Sequence, residues 1–113
     1  MKYKPYLLKD VYDASLQKKF NVVSTFAGGG GSSTGYKLAG GNILAVNEFV
    51  EEARTTYNEN YPETPILPDD IKKLSGQEFL DITGIKSGEL DILDGSPPCS
   101  AFSMAGNLSL IHI

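Results

Sequence analysis

Four consecutive glycines, Gly28-Gly29-Gly30-Gly31, follow directly on the apolar, β-branched segment Asn21-Val22-Val23-Ser24-Thr25-Phe26. A short run of this kind reads as a buried strand, and glycine stops it at once. Seven of the 12 glycines fall between residues 28 and 41, so glycine is gathered at one place and is not spread as a linker. Glycine there lets the backbone approach a ligand closely and adopt φ > 0.

The rest of the chain is punctuated in the same way. Ser32-Ser33-Thr34 predicts the cap of a helix beginning near Gly35, which carries Tyr36, Leu38 and Ala39 and ends at Gly40-Gly41. Ile43-Leu44-Ala45-Val46 reads as a strand buried on both faces. Residues 49–59 place Phe49, Val50, Ala53 and Tyr57 at helical spacing. Pro62, Pro65 and Pro68 force loops around a very short strand at Ile66-Leu67. A helix is expected over 75–82, with Leu74, Phe79, Leu80 and Ile82 as its apolar stripe, then a fourth strand at 90–93. Residues 1–19 read as an extension with a helical turn near 10–19. There is no internal repeat. Strands separated by helices of about ten residues imply βαβ units, so the expected class is α/β with a mostly parallel sheet and flanking helices. Such sheets carry ligands just beyond the carboxyl ends of their strands. The glycine loop, Glu48, Asp70 and the Pro97-Pro98-Cys99 segment would therefore gather on one edge.

Composition narrows the class further. Lys and Arg number 10 against 14 Asp and Glu, and 41% of residues are hydrophobic, a globular balance that excludes a disordered acidic tail. The net charge of −4 argues against a dedicated nucleic-acid binder. One cysteine allows no internal disulfide, which points to a reducing compartment. No apolar run reaches the roughly 20 residues of a membrane span, and the start lacks a secretory apolar core, so a cytoplasmic location is expected.

Glu48 lies at the end of the second predicted strand, twenty residues after Gly28. Dinucleotide-type sites place an acid at about that distance to accept hydrogen bonds from ribose hydroxyls. An adenosine-type cofactor follows. The spacing Gly28-x-Gly30-Gly31-x-x-x-Gly35 departs from the Gly-x-Gly-x-x-Gly of dehydrogenases, whose pyrophosphate sits on amides at a helix N-terminus. S-adenosylmethionine has no phosphate and does not need that spacing. Asp70 could accept from an adenine amino group with Ile71 packed on the ring; alternatively, Asp69-Asp70 simply caps a turn. Pro97-Pro98 stiffens the approach to Cys99, which suits a nucleophile presented at the cofactor edge. A lone cysteine is more often a small buried hydrophobe, but proline and serine neighbours make a poor core. Nothing in the sequence brings the sole histidine, His112, near Cys99.

Together these residues resemble the cytosine-C5 DNA methyltransferases. Phe26-Ala27-Gly28-Gly29-Gly30-Gly31 with Gly35 is similar to the family's cofactor loop, and Asn47-Glu48-Phe49 to its ribose-binding acid with an aromatic neighbour on the adenine. Asp70-Ile71 is similar to its adenine-edge pair. Gly95-Ser96-Pro97-Pro98-Cys99-Ser100-Ala101-Phe102-Ser103 is similar to its catalytic loop, departing at Ser96 and Ser100. The resemblance implies a Rossmann-like, S-adenosylmethionine-dependent methyltransferase fold with an incomplete sheet. It implies Cys99 as the nucleophile, and Phe26, Ala27, Gly28, Gly30, Gly31, Glu48, Phe49, Asp70, Ile71 and Pro98 as cofactor-binding residues. Double-stranded DNA would be the partner of the full-length enzyme, which is expected to be a monomer with no metal or membrane, bacterial or phage-encoded, in a restriction-modification setting. Three other readings stay open: a dehydrogenase fragment, which leaves Pro97-Pro98-Cys99 unexplained; a non-catalytic S-adenosylmethionine-binding module, which would tolerate loss of Cys99; and an RNA cytosine-C5 methyltransferase.

The family's Glu-Asn-Val and Gln-x-Arg-x-Arg segments do not occur in the sequence. Residues 20–107 are therefore expected to be the cofactor and nucleophile part of a truncated catalytic domain, after the extension at 1–19. The last six residues, Leu108-Ser109-Leu110-Ile111-His112-Ile113, match a translation of the transposon-end adaptor used in sequencing libraries and are expected to be non-native. A raw read should break into adaptor after the Asn107 codon; one continuing coherently into other codons overturns this.

Overall fold

The computed structural model describes residues 5–97. In chain order they form α1 (Leu8–Ser15), β1 (Phe20–Thr25), α2 (Gly31–Leu38), β2 (Gly41–Asn47), α3 (Glu51–Asn60) and β3 (Ile66–Leu67). A 3₁₀ turn (Ile71–Lys73), α4 (Gly76–Thr83) and β4 (Ile92–Gly95) follow. The four strands are all parallel, in the order β3-β2-β1-β4. The chain moves from β1 outward to β3 and then returns to the other side of β1. The gap between β1 and β4 is thus the point where strand order reverses, the usual ligand position in an open α/β sheet.

Alternation along β1 builds two cores. Val22 joins Val11, Ala27, Ile43, Val46, Tyr57 and Tyr61 on the face covered by α1, α2 and α3. Val23, one residue on, joins Ile71 and Phe79 on the face covered by the 3₁₀ turn and α4. Both valines are essentially fully buried, and each such burial stabilises the fold by about 1.5–3 kcal/mol. The β1–β2 pairing slips by one residue after Val22, since Val22 faces Ile43 and Val23 faces Ala45. Such a bulge increases local twist beside the end of the strand that carries the site.

The predicted strands are present, with shifted edges. β4 starts at Ile92 because Asp91 closes the approach to β1: its carboxylate accepts from the Asn21 N–H at 2.7 Å and its own N–H donates to the Asn21 carbonyl at 3.1 Å. The largest departure is α2, which begins at Gly31 and not near Gly35. Gly30, at φ 108°, takes the N-cap position, and its carbonyl accepts from the Thr34 N–H at 2.9 Å. Ser32, Ser33 and Thr34 therefore lie inside the first turns. Ser33 is buried and accepts a hydrogen bond from the Tyr57 hydroxyl at 2.8 Å. Phe49 and Val50 do not join the apolar face expected of residues 49–59. They precede α3 and are exposed, because the Glu48 carboxylate takes the Val50 N–H at 2.9 Å and turns the chain. Ile82 is likewise exposed, leaving Phe79 as the buried anchor of α4.

Tyr57 is fully buried, and burial pushes its phenol up to about 12 from the ordinary 10.0. The folded chain holds this proton after the unfolded chain has lost it. The associated stability is complete below about pH 10 and is lost as pH rises toward 12. Denaturant titrations from pH 9 to 11.5 should show a steeper loss of stability for the unsubstituted chain than for Tyr57→Phe; parallel profiles would contradict the assignment.

Candidate cofactor site

Because the sheet is parallel, the segments following β1, β2 and β3 leave from one edge. The first is the glycine loop. Phe26 opens it at φ 52°, a left-handed conformation uncommon for a bulky residue. Its ring packs against the second core. Ala27 is buried and donates its N–H to the Asn47 carbonyl at 3.1 Å, fastening the loop to the end of β2. Gly28 has φ 60°, and a Cβ there would meet no atom within 4 Å. At Gly30 the space is closed instead: a Cβ would lie 3.0 Å from Tyr61 Cε2 and 3.3 Å from Tyr57 Cδ2. The loop between Phe26 and Gly31 carries no cationic side chain.

The second segment is Asn47-Glu48-Phe49. Glu48 Oε1 accepts from the Gly28 N–H at 2.8 Å while Oε2 accepts from the Val50 N–H. The acid twenty residues from Gly28 is thus in contact with it. Arg54 reaches back from α3 and donates to the carbonyls of Glu48 at 3.2 Å and Phe49 at 2.6 Å. The turn is held from both sides, and Phe49 stands beside the carboxylate with 64% of its surface exposed.

The third segment, after β3, is anchored by a residue to which sequence reasoning gave no role. Asn47 is buried, and its side-chain amide donates to the carbonyls of Leu67 at 3.0 Å and Asp69 at 2.8 Å. It hangs the Asp69-Asp70 turn from the end of β2. Asp70 Oδ1 accepts from the Lys72 N–H at 3.0 Å, the capping role that was the alternative for it. Capping takes one carboxylate oxygen and is compatible with an adenine contact by the other. Ile71 is only 7% exposed and packs with Val23 and Phe79, so most of its side chain is committed to the second core.

Pro98 and Cys99 lie outside the described residues. The strand leading to them is described, and a polar clamp ties it to β1. Asp94 Oδ2 accepts from Ser24 Oγ at 2.9 Å and its Oδ1 from the Tyr36 hydroxyl at 3.3 Å. Thr25 Oγ1 donates to the Asp94 carbonyl at 3.1 Å. Burial, with Asp94 close by, raises the Tyr36 phenol above its ordinary value. The only sequence signal for this clamp is the pair of hydroxyls, Ser24-Thr25, ending an apolar run; the partners lie about 70 positions away. Among the described residues no group of three or more His, Cys, Asp or Glu could hold a metal, and no helix is long and apolar enough to cross a membrane.

The geometry agrees with what comparison with known proteins finds. The family model for C-5 cytosine-specific DNA methylase matches residues 20–111. The chain is 33% identical over 91 residues to the type II methyltransferase M.AquIA of Picosynechococcus, covering 80% of this chain and 36% of that protein. It is 35% identical over 99 residues to the type II methyltransferase M.Sau96I of Staphylococcus aureus, covering 86% of this chain and 22% of that protein. A crystal structure of a prophage-encoded E. coli protein, described as a DNA modification methyltransferase, superposes with a TM-score of 0.68 at 27% identity, covering 81% of this chain and 26% of that one. The chain therefore spans well under half the length of these relatives. A glycine loop braced by the acid after the second strand, on a sheet of this topology and in a sequence matched by that family model over most of its length, places the chain in the C-5 cytosine-specific DNA methylase family.

Proposed function

We propose that this chain is the cofactor-binding and nucleophile-bearing part of a DNA (cytosine-5-)-methyltransferase that uses S-adenosylmethionine. The observation that carries this reading is the Glu48 carboxylate, held 2.8 Å from the Gly28 N–H where the loops after β1 and β2 meet. That position suits the two hydroxyls of an adenosine ribose. The glycine spacing, Gly28-x-Gly30-Gly31-x-x-x-Gly35, departs from the one that seats a pyrophosphate in dehydrogenases. The open space at Gly28 provides room for a ligand against the backbone.

The residues present fit the cofactor. Glu48 would take the ribose, Phe49 would lie on the adenine, Asp70 would accept from its amino group with the exposed edge of Ile71 beside the ring, and Phe26, Ala27, the glycine backbone and Pro98 would line the remainder. S-adenosylmethionine supplies a methyl group on a positively charged sulfonium. In the intact enzyme the target cytosine is flipped out of the duplex. Cys99, four positions beyond the end of β4, attacks C6 as its thiolate, and C5 becomes the carbon that takes the methyl group. Loss of the C5 proton and elimination then release the cysteine. Covalent catalysis of this kind divides one difficult substitution into easier steps. The described part of the chain contributes to this by fixing β4, the strand that precedes Cys99 in the sequence, against β1 through Asp94. The sequence supplies no Glu-Asn-Val segment to protonate the ring, so this chain alone is expected to bind cofactor without turnover; the enzyme, bacterial or phage-encoded, would act in the cytoplasm.

Two measurements test the reading. Calorimetric titration with S-adenosylhomocysteine should show binding that weakens about tenfold or more in Glu48→Ala, the loss of a hydrogen bond to a charged group. An analogue without ribose hydroxyls should bind more weakly than S-adenosylhomocysteine to the unsubstituted chain and equally well to Glu48→Ala; an equal loss in both proteins counts against the ribose contact. In the full-length protein, Cys99→Ser should abolish transfer of labelled methyl to DNA while leaving S-adenosylhomocysteine binding intact. Transfer at the normal rate would sink the assignment of the nucleophile.

A further inference from the structure

Against the glycine loop lies a partly buried polar cluster that the reading above does not use. Thr34 Oγ1 donates to the Gly30 carbonyl at 2.8 Å. The same Oγ1 is hydrogen-bonded to the hydroxyl of Tyr61, the C-cap residue of α3. A threonine hydroxyl has one proton, and here it is given to Gly30, so the Tyr61 hydroxyl must be the donor to Thr34. A directed chain results, from the Tyr61 hydroxyl through the Thr34 hydroxyl to the Gly30 carbonyl. Gly30 is the residue whose left-handed φ of 108° turns the loop into α2. The Tyr61 ring edge is also the atom group nearest to a Cβ at that position.

The Tyr61 ring is itself held by two neighbours. The Tyr57 ring meets it edge to face with centroids 5.3 Å apart. Lys37 Nζ stands 3.8 Å from its ring centroid, within cation–π range. That same Nζ bonds Glu63 Oε1 at 3.1 Å and Thr64 Oγ1 at 3.3 Å, in the turn just after Tyr61. At its other end α3 follows immediately on Glu48, Phe49 and Val50. One helix therefore carries the proposed ribose-binding acid ahead of its first turn and the brace on Gly30 at its C-cap.

We propose that Tyr61, acting through Thr34, is a positioning residue for the cofactor loop: it sets the Gly30 turn at the height where the Gly28 N–H meets Glu48. This inference rests on the reading of that loop as an S-adenosylmethionine cradle. It is tested on the full chain by titration with S-adenosylhomocysteine at a temperature well below the melting of every variant. Tyr61→Phe and Thr34→Val each remove one hydroxyl and keep the shape, and each should weaken binding about five- to tenfold, the value of a single neutral hydrogen bond. Thr34→Ser keeps the hydroxyl and should retain most of the affinity, which a role limited to packing would not produce. The double variant should bind no more weakly than Thr34→Val alone, since both changes break one chain. If Tyr61→Phe does not fold, the Thr34→Val and Thr34→Ser pair decides the question. Equal affinity in all variants, with the unsubstituted chain binding normally, overturns the positioning role and leaves the cofactor reading standing. No binding by the unsubstituted chain overturns the cofactor reading, and the positioning role falls with it.

Discussion

Everything at the site depends on β1 being hydrogen-bonded on both edges by parallel neighbours. Its main chain sets the heights of the other segments: Ser24 pairs with Val46 of β2 and with Asp94 of β4, and Thr25 pairs with Gly95. The glycine loop, the Glu48 turn and the approach to Cys99 therefore leave the sheet at nearly one level. The register is enforced by burial. A shift of one residue would send Val22 and Val23 to each other's faces, together with every side chain in step with them. Both valines would stay buried, but each would have to repack among side chains fitted to the other, at a cost of about 1–3 kcal/mol, comparable to that of the charged hydrogen bond between Gly28 and Glu48. The apolar core thus decides where the polar site can be.

On that frame the polar contacts do a different job. Ala27 to Asn47, Gly28 to Glu48 and Asn47 to Asp69 each join neighbouring strands at or just beyond their carboxyl ends. None spans an element interior, and each replaces a bond that a loop backbone would otherwise make with water. Their net contribution to stability is about 0.5–1.5 kcal/mol apiece for the neutral ones. Their contribution to geometry is larger, because a loop of small residues has little else to hold it.

How far the sequence could be read follows from the range of the interaction involved. The strands, the glycine loop and the acid after β2 were legible because each is written in neighbouring residues or in a fixed spacing. The start of α2 was not, because serine and threonine beside a glycine ordinarily cap a helix. Here Gly30 assumes the cap by adopting φ 108°, and the hydroxyls of Ser33 and Thr34 turn to tyrosines 24 and 27 positions away. The exposure of Phe49 and Val50 was hidden for a related reason: helical spacing carries no sign that Glu48 will take the Val50 N–H. Asp94 joins Ser24 and Tyr36 across 70 and 58 positions, a relation that exists only once β4 lies beside β1.

Lys37 shows which effect governs the cluster under the loop. It is only 3% exposed and paired with Glu63, which keeps 47% of its side chain in solvent. Burial lowers the ammonium's pKa, and the hydrogen bond and charge of Glu63 raise it by less, since the net shift is downward. The pair therefore does not recover what desolvation of the lysine costs, as is common for buried ion pairs. What the charge does achieve is directional. A cation over one face of Tyr61, tethered to Glu63 and Thr64, favours the observed ring position, with its edge against Gly30 and its hydroxyl on Thr34. An apolar side chain of the same volume would pack there without the desolvation cost, but nothing in it would fix the ring by charge. The lysine thus trades stability for the placement of one hydroxyl, and that hydroxyl stands two hydrogen bonds from the backbone of the glycine loop.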